Sequence, residues 1–151
     1  MDMKPLFGLL VIVLAAGMTH AQLNNSQSAT PAFHAAAPDA TAKLPPILTQ
    51  KDLAAQGFIA PAQTEAYKAA ARSSKVLYQM PCYCFCDRNH GHTSLRSCFE
   101  GTHGGNCGTC MQEALYSSRQ SQKGWSPKMI RDGIIRGDFK MVDLQNVPVT
   151  K

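Results

Sequence analysis

Between residues 47 and 147 the apolar positions recur at helical rather than alternating spacing, and they predict a mainly α domain. Thr49 with Asp52 three residues later reads as a capped first turn and Gly57 as a stop, predicting a short helix over 50–56. Pro61 suits a first helical position, and Ala62, Ala66, Tyr67, Ala70 and Ala71 give one apolar face up to about Arg72. Val76, Leu77 and Met80 extend this as one more helical turn or as a lead-in, and Pro81 disfavours helix at Met80. Further on, Asn106 is a candidate N-cap for a helix running through Met111, Ala114 and Leu115 to about Gln120. A last helix starts at Ser126 and Pro127, shows Met129, Ile130, Ile134 and Ile135 as a stripe, and stops at Gly137. The pattern therefore predicts about four helices around an irregular loop, with no convincing pair of strands.

The start of the chain follows different rules. Met1–Lys4 is a short n-region, Leu6–Met18 is apolar, and Thr19, His20 and Ala21 form a small-residue cleavage site, so residues 1–21 are expected to be a secretory signal peptide. The apolar stretch is shorter than the roughly 18–20 residues of a bilayer span, so no stable membrane insertion is expected after cleavage. Residues 22–46 are Gln, Asn, Ser, Ala, Thr and Pro with few large apolar side chains, which predicts a flexible, disordered linker. The domain proper is expected at 47–147 and a tail at 148–151. Secreted or periplasmic localisation follows from the leader, and in such compartments disulfides form and persist.

The net charge of +5 is spread without dense basic runs or interleaved aromatics, so nucleic acid is not an expected partner.

All six cysteines fall between Cys82 and Cys110. Cys82, Cys84 and Cys86 form a CxCxC triplet, Cys98 stands alone, and Cys107 and Cys110 form a CxxC pair at the start of a predicted helix. An extended triplet would place its sulfurs on one side at steps of about 6.6–6.8 Å, with Tyr83 and Phe85 facing away to anchor the loop. Neighbouring triplet sulfurs would then be too far apart to bond each other, leaving Cys98, Cys107, Cys110 or a metal as partners. The helix start favours the thiolate form at Cys107 and Cys110. His90, His92 and His103 lie in the intervening loops, and the thioethers of Met80 and Met111 flank the cysteine groups. Thiolate and thioether select Cu(I), and mixed thiolate and imidazole suit Zn(II) equally well.

Three chemistries compete for these residues. In the first, Cys82, Cys84, Cys86, Cys98, Cys107 and Cys110 ligate a soft metal, Cu(I) ahead of Zn(II), while His92 and His103 complete or gate the site. This describes an extracytoplasmic protein of sequestration or delivery rather than of catalysis, with the metal ion and an envelope protein as candidate partners. In the second, three disulfides staple a secreted interaction module. In the third, Cys107 and Cys110 form a thiol–disulfide exchange pair, although the βαβ context of thioredoxin-like proteins is missing. Sulfur separations decide between the first two: about 2.0 Å marks a bridge, and about 3.5–4 Å suits a shared ion.

The run Pro81, Cys82, Tyr83, Cys84 and Cys86, then Gly91, His92, Ser94, Leu95, Cys98, Phe99, His103, Cys107 and Cys110, resembles the bacterial family of secreted and lipid-anchored proteins named for a PCYCGC motif. The resemblance covers roughly Tyr67 to Phe139 and implies that the six cysteines are the matching positions. Phe85 stands where the family's motif has glycine, and no cysteine lies near the cleavage site to carry a lipid.

Overall fold

The computed structural model describes residues 30–150. The expected signal peptide and residues 22–29 of the expected linker lie outside the described residues. The described chain is mainly helical: α1 Gln50–Ala55, α2 Pro61–Arg72, α3 Ser74–Leu77, α4 Cys86–His90, α5 His103–Asn106, α6 Gly108–Gln122 and α7 Pro127–Arg136, with 3₁₀ turns at Leu95–Phe99 and Asp138–Met141. No strand occurs among the described residues, and none of their helices is long and apolar enough to cross a membrane.

Local chemistry explains the elements that the pattern predicts. Thr49 and Asp52 form a reciprocal capping box on α1, which satisfies two N–H groups that the first turn leaves open. Ser126 accepts from the Met129 N–H at the start of α7, Pro127 occupies the first turn, and Gly137 ends the helix at φ 86°. The helix over residues 108–122 is capped by Cys107 rather than by Asn106, which instead closes the short α5.

The core gathers around α2 and α6, which pack together more extensively than any other pair of elements. Tyr67, Ala66, Ala69 and Ala70 from α2 are buried with Ala114 and Leu115 from α6, Ile130 and Ile134 from α7, and Leu53 from α1. Burial of large side chains such as Leu53, Ile130 and Ile134 is worth about 1.5–3 kcal/mol each. Phe99, Leu95 and Met80 close the core on the side of the cysteine window.

Two polar anchors set the position of the window. Buried Arg96 donates from Nε to the Ser74 hydroxyl at 2.9 Å and from a terminal nitrogen to the Pro45 carbonyl at 2.6 Å, and it pairs with Glu100. The Leu95 N–H donates to the Met80 carbonyl at 2.9 Å, which holds the turn carrying Cys98 against the chain entering Cys82.

Residues 32–34 lie against the domain. The Ala32 N–H donates to Asp87 at 3.0 Å, the His34 ring stacks on Tyr78 at 3.8 Å, and Arg131 lies over the Phe33 ring. Phe33 and His34 supply aromatic surface that the Ser, Ala and Pro around them do not.

Candidate metal centre

The CxCxC segment is a turn, not the extended run expected from its alternation. The Phe85 N–H donates to the Cys82 carbonyl at 3.0 Å, and α4 begins at Cys86. Phe85 makes this possible by adopting the left-handed conformation at φ 57°, the position where the family motif has glycine. Turning the backbone brings Cys82 and Cys84 Sγ to 3.3 Å, about half the step of an extended strand. Tyr83 and Phe85 consequently pack on each other, with ring centroids 5.8 Å apart, and Tyr83 also faces Phe139. Both rings are half-buried at the edge of the site.

The start of α6 brings its thiols to the same place. Cys107 caps the helix and Cys110 lies in its first turn, where Cys110 Sγ is 3.4 Å from Cys82 and 3.5 Å from Cys84. Cys107 stands half-buried at the N-cap, near enough to Cys84 and Cys110 to affect their ionisation, but it belongs to none of the donor sets that can share an ion. On the opposite side, Cys86 and Cys98 Sγ are 3.3 Å apart, and His92 Nδ1 lies 3.1 Å from Cys86 and 3.3 Å from Cys98. His103 Nε2 is 3.7 Å from Cys84. All six thiols are free, with these Sγ separations well beyond the roughly 2.05 Å of a disulfide bond.

The cluster of cysteines and histidines can hold a metal ion. Three sets of donors each lie within 4.8 Å of one another: Cys82, Cys84, Cys86 and Cys98; Cys84, Cys98, His103 and Cys110; and Cys86, His92, Cys98 and His103. Four sulfurs bound at about 2.3 Å in a tetrahedron stand about 3.8 Å apart, so an ion needs the closest thiol pairs to open by a few tenths of an ångström, with every other donor of a set within 4.8 Å. The donors are soft sulfur and imidazole, and Cys82, Cys86, Cys98 and Cys110 are buried.

The electrostatics favour unequal ionisation. Hydrogen bonds from Cys107, Cys110 and Cys82 hold the half-buried Cys84 thiol well below its ordinary range. Hydrogen bonding with Cys110 and Cys84, with burial, pushes Cys82 well above it. Hydrogen bonds with Cys110 and Cys82 likewise lower Cys98, to about 4, so thiolates at Cys84 and Cys98 are favoured by neighbouring S–H donors, and further ionisation meets like-charge repulsion until a cation replaces the protons.

Glu113 and Tyr67 support the centre; the sequence marks Tyr67 only as part of an apolar helix face and does not mark Glu113. Burial pushes the Glu113 carboxyl up to about 8, although it accepts from the Tyr83 N–H at 2.8 Å. Its other oxygen has no hydrogen-bond partner. The available signal was spacing: Glu113 lies three residues after Cys110 and therefore on the same helical face. The Tyr67 hydroxyl donates to the Gly101 carbonyl at 2.5 Å and accepts from the Gly105 N–H at 3.2 Å, gripping the chain on both sides of His103. Burial raises the Tyr67 hydroxyl to about 12, which keeps its proton available for this bond. Gly104 permits the same approach, since a Cβ there would stand 2.8 Å from the Phe99 ring and 2.9 Å from the Cys98 carbonyl.

Exposed His90 also faces the centre's rim, with its ring 4.8 Å from His103 and 5.8 Å from His92. Met80 is buried in the core, and Met111 packs against it half-buried.

No curated protein and no solved structure matches the chain. The profile of one family, described as a protein of unknown function with PCYCGC motif, matches residues 10–141. With its cysteine turn, lone Cys98 and helix-tip pair all inside that match, the chain belongs to the PCYCGC-motif family.

Proposed function

We propose that this chain is an extracytoplasmic soft-metal-binding protein, favouring Cu(I) over Zn(II), that sequesters or delivers its ion. The observation that carries this reading is convergence: Cys82 and Cys84 from one turn meet Cys110 from a helix tip at 3.4 and 3.5 Å. A thiolate-rich donor set of this kind selects Cu(I), while His92 and His103 keep Zn(II) within reach. The leader-like residues 1–21 support an extracytoplasmic location, and an envelope protein is the candidate recipient.

The disulfide-stapled module and the Cys107/Cys110 exchange pair are the competing readings. Free-thiol counting on the anaerobically purified protein, before and after chelation, separates them. Thiols masked until a Cu(I) chelator is added support the metal reading. Three bridges that no chelator affects would refute it. A mixed disulfide trapped by Cys110→Ser through Cys107 would transfer the case to exchange chemistry.

A further inference from the structure

The three donor sets overlap in a way that a single ion cannot use. Cys98 belongs to all of them, whereas Cys110 and His92 share none. One end of the centre is built from Cys82, Cys84 and Cys110, and the other from Cys86, Cys98 and His92. Cu(I) and Zn(II) take about four protein donors at most, and these sets together offer five thiols and two imidazoles. An ion seated at either end leaves the thiols of the other end unligated.

Charge leads to the same conclusion. Several thiolates confined in one largely buried cluster repel one another, and one monovalent ion offsets only one of those charges. A thiolate sulfur has lone pairs enough to bind two ions, which lets neighbouring ions share it. Cys98 is placed for this: it is buried, lies 3.3 Å from Cys86 Sγ, and belongs to the set that contains Cys84, His103 and Cys110.

We propose that the centre is polynuclear, holding at least two Cu(I) ions that share the Cys98 sulfur. The first ion lies toward Cys82, Cys84 and Cys110, and the second toward Cys86 and His92. Each ligating thiol releases its proton to solvent, and no electron is transferred. This inference rests on the metal-binding reading and adds to it the number and arrangement of ions.

The test is an anaerobic Cu(I) titration of the reduced full chain, with bound ions counted by native mass spectrometry and their surroundings read by copper X-ray absorption. Two or more ions per chain, with sulfur-dominated coordination and a Cu–Cu scattering contribution, are expected. Cys98→Ser should remove the Cu–Cu contribution, and His92→Ala should lower the affinity of one ion about tenfold or more while leaving the other in place. Saturation at one ion, or two ions without Cu–Cu scattering, overturns the polynuclear centre and leaves the metal-binding reading standing. No bound copper overturns both. The Cu–Cu contribution in the unmodified chain decides the matter even if a variant does not fold.

Discussion

Glu113, in the second turn of α6, accepts a 2.8 Å hydrogen bond from the backbone N–H of Tyr83, between the first two cysteines of the CxCxC turn. The helix that supplies Cys110 thus also holds the turn that supplies Cys82 and Cys84. Glu113→Leu leaves the Tyr83 N–H without its acceptor and should destabilise the reduced, metal-free protein by about 1–3 kcal/mol. Glu113→Gln keeps a carbonyl oxygen at the same reach and should lose much less. Urea unfolding of both variants checks this, and equal losses would show that the hydrogen bond is not the source.

Phe85 supplies a sharper backbone test. It holds a left-handed conformation that is unfavourable for a residue with a Cβ by roughly 1–2 kcal/mol. Its ring contributes contacts to Tyr83 and a cation–π contact with Arg88 at 4.2 Å from the ring centroid. Phe85→Ala loses the ring and keeps the strain, while Phe85→Gly loses both. The glycine variant should be the more stable of the two by about 1 kcal/mol in chemical denaturation, and the reverse order would contradict the left-handed turn.

Removing the Tyr67 hydroxyl should act on the His103 turn. Tyr67→Phe keeps the ring that packs edge-on against Phe99 but takes the hydroxyl donor from the Gly101 carbonyl, while the Gly105 N–H keeps its 3.0 Å bond to the Thr102 carbonyl. A loss of about 1–3 kcal/mol is expected. Faster amide hydrogen exchange at residues 101–106 is the accompanying sign, and unchanged exchange there would place the loss elsewhere.

Acid should release the C-terminal residues from α2. Burial alone would raise the Glu65 carboxyl, but hydrogen bonds from Thr150 and Lys68 outweigh it and hold the group below its ordinary 4.5. The unfolded chain then takes up this proton at a higher pH than the folded chain. The stability supplied by Glu65 is full above the ordinary value and is lost as pH falls through the depressed folded one. Glu65→Gln should therefore flatten the fall of the thermal midpoint between about pH 5 and 3. An unchanged acid slope would rule this group out as its source.

How much could be read beforehand depended on the length of each element. α1, α2 and α7 carried a capping pair, a leading proline or a closing glycine beside an apolar face, so local rules and tertiary packing agreed. α4 and α5 have 5 and 4 residues, too few for a helical period to show. The bend at Cys82–Phe85 was hidden because Tyr83 and Phe85 favour strands and no glycine or asparagine marks the turn. Gathering the cysteines and histidines into one site was legible from their spacing and residue types. Which sulfur meets which depends on the positive φ of Phe85 and on the hydroxyl of Tyr67, neither of which has a pattern in the chain.

The grip of Tyr67 on the His103 turn gives the centre two unlike sides. Cys82, Cys98 and Cys110 form a floor set in the core, whereas His103 belongs to a roof pinned to α2 by the tyrosine hydroxyl and by Gln63, which donates to the Gly105 carbonyl. The half-buried Cys84 and His103 make the roof the exposed side of the centre, and the floor sulfurs are closed to solvent. Solvent and an incoming ion would therefore meet the centre at the roof first.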